Sequence, residues 1–228
     1  MSVLNRLLRS PADIAAACRE DRGVREIAVA SILSLAAGAA VFGGVLGSYR
    51  GGAQIAYAGI KLPLALLATL ALCVPAFHGL AAGLGRAFPM RVILALALAS
   101  AGRAALVLLA LSPVLWLLLD LGLGYHAAAL SAALAYGLAG VAALGVLLRG
   151  LGEGKLRGLT ALAFGVVFFA VGGQASWILR PYLVRPRSAG VPFVRAREGS
   201  FADAIYTSSR SARGVYNEAS QVDVRSEP

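Results

Sequence analysis

Residues 27–47 read IAVASILSLAAGAAVFGGVLG, an apolar stretch without a single charged side chain. About 20 residues of this kind cross the hydrocarbon core of a bilayer as a helix. Four more predominantly apolar stretches follow at residues 63–84, 92–118, 127–148 and 159–179, with charged side chains between them. Because the stretches are continuous and do not alternate, they predict helices and not barrel strands. We therefore expect an all-α fold, a polytopic membrane helical bundle of five transmembrane helices.

The composition excludes a soluble globular domain. Of the 228 residues, 59% are hydrophobic and 14% are charged, whereas soluble domains average roughly 45 to 50% apolar and about 25% charged residues. The net charge of +10 comes almost wholly from arginine, since Lys61 and Lys155 are the only lysines. Arginines between apolar stretches are typical of topology determinants and of contacts with anionic lipid headgroups. We expect membrane lipids as partners and no nucleic acid, which would require a basic face on a soluble domain.

The chain divides into three regions. Residues 1–25 are expected to form amphipathic N-terminal helices on the cytoplasmic side, residues 26–180 the five-helix transmembrane domain, and residues 181–228 an extended, basic C-terminal arm rich in proline and aromatic residues. In the first region, apolar side chains fall on one side of a helix: Val3, Leu4, Leu7 and Leu8. Ser10 as N-cap and Pro11 then predict a second helix that runs towards Gly23. These helices either pack on the bundle or sense the lipid surface.

Residues 53–61 are too polar, with Gln54 and Tyr57, to be part of a span, and we expect them to lie in the membrane interface. Pro63 would then begin the second span at the first helical position, where proline is favoured. Small residues recur every four positions along the first two spans: Ala36, Ala40, Gly44 and Ser48, then Ala39, Gly43 and Gly47, and finally Gly79 and Gly83. Such surfaces allow close helix packing, within the chain more often than between chains.

The distribution of Lys and Arg predicts a cytoplasmic amino terminus. With five spans, ten of these side chains precede the first span or lie in the even-numbered loops, against two in the odd-numbered loops. The first apolar stretch exceeds the h-region of a signal peptide, and we expect it to remain as an anchor. The arm arginines, Arg180 onwards, conflict with this orientation. A third stretch that forms a re-entrant hairpin, broken near Gly102 and Arg103, would return the arm to the cytoplasmic side.

Inside the spans, Arg103 is the candidate residue for contact with a partner or a lipid. A charge at mid-span costs several kcal/mol unless it is paired or hydrated. Asp120 lies roughly 25 Å further along a straight helix and cannot reach it. Two readings stay open. Arg103 either snorkels or pairs with backbone carbonyls, or it meets an acidic residue of a partner subunit.

No catalytic, cofactor-binding or metal-binding residues are expected. Cys18 and Cys73 are too few for a four-ligand metal site, and His78 and His126 have no nearby carboxylates. Motifs of hydrolases and metalloproteases are absent from the sequence. We therefore predict that the protein is not an enzyme and needs no cofactor.

Aromatic and basic residues are densest where the fifth span ends and in the arm that follows. Trp and Tyr at that point are typical of an interfacial belt with an arginine anchor, but the pattern continues far into the arm. We expect the arm to dock on a partner or on its own bundle. The candidate partner or lipid contacts here are Trp177, Arg180, Tyr182, Phe193, Arg195, Arg197 and Phe201.

Several strings resemble bacterial five-span membrane proteins of the Ypt-interacting-protein (Yip) type, over residues 7–205. They are Leu46-Gly47-Ser48-Tyr49, Gln54, Lys61-Leu62-Pro63-Leu64, Thr69-Leu70, Cys73-Val74-Pro75, Ser176-Trp177-Ile178-Leu179-Arg180-Pro181-Tyr182, Val191-Pro192-Phe193 and Arg197-Glu198-Gly199-Ser200-Phe201. The resemblance implies a cytoplasmic amino terminus, five helices and no known catalysis. Eukaryotic relatives bind small GTPases, but no matching motif is visible here.

These observations predict a non-enzymatic integral membrane protein of the bacterial inner (cytoplasmic) membrane. We expect it to be a structural or assembly subunit of a complex with other membrane proteins. The alternative is a small-molecule or ion transporter or channel component, for which Pro75, His78, Arg103 and Pro113 are the available polar or helix-breaking residues. A lipid-modifying enzyme ranks third, since Ser176 near Arg180 has no general base.

Overall fold

In a computed structural model of the chain, the described residues are 3–85, 88–154, 156–179, 182, 183 and 193, all within a compact unit that spans Met1–Arg195. They form α-helices and no strands: α1 (Val3–Arg9), α2 (Pro11–Arg19), α3 (Val24–Ser48), α4 (Ala53–Gly83), α5 (Met90–Asp120), α6 (Tyr125–Gly150) and α7 (Arg157–Leu179). The all-α helical bundle predicted from the sequence is confirmed.

Helices α3 to α7 are each long and apolar enough to cross a membrane. The protein is therefore a multi-pass membrane protein. Helix α5 runs without interruption through Gly102 and Arg103, so the re-entrant alternative is wrong. An odd number of crossings places the start of α3 and the end of α7 at opposite faces of the bundle.

Helix α4 begins at Ala53 and contains Pro63 and Pro75 in its interior. The predicted entry into the second span at Pro63 is therefore wrong, and residues 53–61 are helical and continuous with that span. Neighbouring helices can stabilise proline inside a membrane helix, and the first turns of α4 lie directly on α3. The polar residues of this segment are part of the bundle.

Glycines hold α3 against α4 and α5. A Cβ atom on Gly38 would overlap the backbone of Ala105, and one on Gly43 would overlap the backbone of Ala58. Only glycine permits so close an approach of two helix backbones. At Gly79 and Gly83 a Cβ atom would meet nothing within 4 Å. The small-residue surface of the first span is therefore used inside the chain, whereas that of the second span is open.

The two N-terminal helices pack against the bundle. Leu7 of α1 and Ile14 and Cys18 of α2 are fully buried in one cluster with Ile27 and Val146. Asp21, just after α2, forms an ion pair with Arg91. Ser10 and Pro11 start α2 where predicted, although Ser10 makes no side-chain cap and the helix ends at Arg19. This packing favours the first of the two readings of these helices.

Candidate functional site

Helix α7 ends about two turns short of the start of α4. Phe77 stacks on Phe164, and a Cβ atom on Gly172 would lie 3.3 Å from the side chain of Thr69. The helices are antiparallel, so a position eight residues before Thr69 faces one eight residues after Gly172. Lys61 is thus level with the end of α7 at Leu179. The first turns of α4, roughly 12 Å at 1.5 Å per residue, extend beyond the last span.

Two residues of the C-terminal arm contact this extension of α4. The Gln54 side-chain amide donates a hydrogen bond to the carbonyl oxygen of Tyr182, at 3.3 Å. The ring of Phe193 meets the ring of Tyr57 edge to face, with centroids 5.2 Å apart, and its face lies 4.9 Å from the Lys61 ammonium. We call these five residues the arm-anchor site.

The polar groups of the arm-anchor site are buried. Lys61 has 0% and Gln54 has 1% of its surface exposed. A charged side chain in a membrane helix costs at most about 2.5 to 3.5 kcal/mol on insertion scales, the value for the helix centre, and a cation over an aromatic face regains about 0.5 to 2 kcal/mol, depending on desolvation. Phe193 is therefore placed to offset part of the cost of Lys61.

Tyr182 begins the arm inside the bundle. It packs with Leu183 against the cluster that holds Phe42 and Leu115. Burial raises the pKa of the Tyr182 phenol to about 12, and the nearby Ser176 side chain opposes that rise. Tyr182 is consequently neutral at physiological pH, as its apolar surroundings require.

Arg103 lies on the side of the bundle where α1 docks. Its Nη1 donates a hydrogen bond to the carbonyl oxygen of Leu7, at 3.1 Å. Leu7 is within the last four residues of α1, whose carbonyls have no partner in their own helix, and a cation there also complements the helix dipole. Of the two readings of Arg103, the structure supports pairing with a backbone carbonyl.

The predicted site residues do not form one cluster. Tyr182 and Phe193 each contact α4, and Arg103 forms a hydrogen bond with α1. Trp177 lies in the last turn of α7. Arg180, Arg195, Arg197 and Phe201 lie outside the described residues.

Sequence reasoning missed Gln54, Tyr57 and Lys61 as site residues. Their spacing of three and four positions puts them on one face of a helix, and Lys61 is one of two lysines in the chain. This signal was present, but the polarity of residues 53–61 pointed to an interfacial segment.

Helix α6 carries an open surface of small residues. Ala129, Ala133 and Gly137 follow one another at four-residue spacing and are all exposed. A Cβ atom on Gly137 would meet nothing within 4 Å. We call these three residues the α6 small face; large exposed side chains, Leu130 and Leu134 among them, flank it.

Among the described residues, no group of His, Cys, Asp or Glu could hold a metal ion. A cavity of about 20 Å³, roughly the space of one water molecule, lies between α4, α5, α6 and α7. Its walls are almost entirely apolar, with Phe77, Phe88 and Phe164 among them.

The fold and these sites define a multi-pass helical membrane protein with docked N-terminal helices. Comparison with protein-family models, with curated proteins and with solved structures finds no match to this chain. The resemblance to Yip-type proteins therefore stays a prediction.

Proposed function

We propose that this protein is a non-enzymatic structural or assembly subunit of a membrane protein complex. The observation that carries the proposal is the α6 small face. In lipid, helices associate through close packing, and small residues every four positions let two backbones approach. Large apolar side chains would be the better choice for a surface that only faces acyl chains.

The chain also contains a small-residue surface that a neighbouring helix already covers. Gly43 on α3 and Gly137 on α6 each belong to a series of small residues that recur every four positions. Gly43 is in contact with the backbone of Ala58, whereas the surroundings of Gly137 are open. The small-residue surface of α3 is thus covered by a neighbouring helix of the same chain. The α6 small face is available to a helix of another subunit.

The arm-anchor site assigns two of the predicted contact residues to the chain itself. Tyr182 and Phe193 fix the arm to α4, so these aromatic residues act on their own bundle. We propose that the contacts with partner proteins come from later arm residues: Arg195, Arg197 and Phe201.

The test is the substitution Gly137→Leu. It adds a large side chain to an open surface and should leave the fold intact, because nothing in the chain occupies that space. Gly165→Leu on α7 is the matched control, since a Cβ atom there also meets nothing within 4 Å. Each tagged variant is extracted in mild detergent and its companions are identified by mass spectrometry.

We expect stoichiometric companions with the unaltered protein and with Gly165→Leu, and their loss with Gly137→Leu. Identical companions for all three proteins would contradict the role of the α6 small face. An unaltered protein that elutes as a clean monomer would contradict the assembly function altogether.

We also propose that the protein is Yip-like and resides in the bacterial inner membrane with its amino terminus in the cytoplasm. The excess of Lys and Arg on the side of α1 and α2 supports this orientation. Single cysteines introduced at Gly51 and at Gly122, both in loops at the opposite face, should react with a membrane-impermeant thiol reagent in intact spheroplasts. Labelling only after lysis would overturn the orientation.

A second candidate function, small-molecule or ion transport, is favoured by Lys61. An ionisable residue buried in a span is a marker of transport pathways. If transport is the function, Lys61→Met should abolish flux in proteoliposomes. If assembly is the function, Lys61→Met should leave the co-eluting proteins unchanged.

A further inference from the structure

Two arginines on neighbouring spans lie on the side of the bundle where α1 docks. Arg103 lies on α5, and Arg149 lies in the last turn of α6. Leu7, whose carbonyl oxygen accepts a hydrogen bond from Arg103, belongs to one buried cluster with Val146 of α6, next to the Gly145 carbonyl that binds Arg149. Two positive charges on adjoining helices repel each other.

Neither Arg103 nor Arg149 takes part in the ion pairs found among the described residues. The ion pairs found there join Arg22 to Glu20 and Arg91 to Asp21. A bound anion would remove the repulsion.

Backbone carbonyls hold both guanidinium groups in place. Arg103 Nη1 donates to the carbonyl oxygen of Leu7 at 3.1 Å, and Arg149 Nη1 donates to that of Gly145 at 2.7 Å. A guanidinium group has five N–H donors, so most donors of each group are left for a ligand. A third guanidinium group belongs to Arg6, next to Leu7 on α1, and its buried Nε has no hydrogen-bond partner within the described residues.

The position of this cluster along the bundle matches the lipid interface. Helix α5 has 31 residues and measures about 46 Å at 1.5 Å per residue, against a hydrocarbon core of about 30 Å. Trp116 is half exposed and is typical of the interface at the opposite face. A length of 30 Å measured from Trp116 ends near Leu96, which Gly150 of α6 contacts. Arg149 is therefore at the boundary of the core.

Arg103 starts about 10 Å inside that boundary, and its long side chain can reach towards it. An apolar surface adjoins the cluster as well. Val141 is exposed and lies two turns before Arg149 on the same side of α6. Acyl chains can lie on this surface while a headgroup meets the arginines.

We propose that Arg103, Arg149 and Arg6 bind the phosphate group of an anionic phospholipid in the leaflet at the α1 side of the bundle. Guanidinium groups form charge-assisted, bidentate hydrogen bonds with phosphate oxygens. The apolar surface beside Arg149 favours a lipid over free phosphate as the source. This site is independent of the α6 small face and can be tested without any partner protein.

The test uses the purified full-length protein in a zwitterionic detergent. Short-chain phosphatidylglycerol, short-chain phosphatidylcholine and inorganic phosphate are titrated separately, and the thermal midpoint is followed. We expect phosphatidylglycerol to stabilise the protein and the other two probes to have little effect. Arg149→Gln should weaken the apparent affinity for phosphatidylglycerol about tenfold, as expected for one lost charge-assisted interaction.

Arg157→Gln is the matched control, because Arg157 lies at the start of α7 on the same side of the bundle. Equal losses in the two variants would overturn the site in favour of diffuse surface charge. Inorganic phosphate that stabilises as well as phosphatidylglycerol would overturn the lipid as the source. If Arg149→Gln does not fold, Arg149→Lys keeps the charge, and an affinity unchanged from that of the unaltered protein would then overturn bidentate binding.

Discussion

The ammonium group of Lys61 lies 4.9 Å from the centre of the Phe193 ring, across 132 positions of sequence. Lys61 is fully buried in α4, and Phe193 belongs to the C-terminal arm. A residue of the arm thus covers a charge inside a span at the level where α7 ends. This relationship ties the arm to the bundle.

We expect Phe193→Ala to lower the free energy of unfolding by about 1 to 2 kcal/mol, because the cation–π contact and its apolar cover are lost. Phe193→Leu, which keeps an apolar side chain without the ring face, separates the two contributions. In a Lys61→Met background, the free energies of unfolding of the proteins with Phe193 and with Phe193→Leu should be nearly equal. The measurement is thermal or denaturant unfolding in detergent as a double-mutant cycle. An equal difference in both backgrounds would show that the charge plays no part.

Arg103→Leu should release α1 from the bundle without unfolding the spans. The Leu7 carbonyl oxygen would lose its charged donor, which costs about 1 to 3 kcal/mol for a buried group. Hydrogen exchange followed by mass spectrometry should show faster exchange in residues 3–9 and unchanged exchange in α3 and α4. Arg103→Lys should restore part of the protection, since a lysine can still donate to the carbonyl. Uniformly faster exchange would instead mean that Arg103 stabilises the whole bundle.

The sequence predicted the spans because each is a long apolar run bounded by charge. The expected stretch at residues 27–47 and helix α3 at Val24–Ser48 differ by a few residues at most. The start of the second helix was predicted at Pro63 and lies at Ala53, because polarity and Pro63 outweighed the helical spacing of Gln54, Tyr57 and Lys61. Those polar groups are tolerated because the arm covers them, and an arm contact 132 positions away leaves no local signal in the sequence.

Arg103 shows the same limit on the candidate site. The free-energy cost of its charge in a span indicated that Arg103 needs a partner. The partner is a backbone carbonyl, and because every residue has one, the sequence does not show which carbonyl it is. The amphipathic pattern of Val3 to Leu8 showed that α1 has an apolar face. It did not show which helix that face would meet.

Stability should fall in alkaline solution through Cys18. Burial raises the pKa of this thiol from 9.0 to about 11, so the folded state keeps a proton that the unfolded chain loses between these values. The contribution of Cys18 is therefore complete below pH 9 and declines as the pH rises through 11, by about 2 to 3 kcal/mol in total. Denaturant unfolding from pH 8 to 11 should show a smaller decline for Cys18→Ala. Identical slopes for the two proteins would mean that Cys18 does not sense pH.

Matched glycine substitutions should separate the filled and the open small-residue surfaces. Alanine favours a helix over glycine by up to about 1 kcal/mol, so an open site gains or stays unchanged. At Gly43 the added methyl group overlaps the backbone of Ala58, and overpacking costs about 1 to 3 kcal/mol. We therefore expect Gly43→Ala to destabilise the protein and Gly79→Ala to leave it unchanged or slightly more stable in detergent unfolding. Equal effects at both positions would contradict the close approach of α3 and α4, on which the burial of Lys61 also depends.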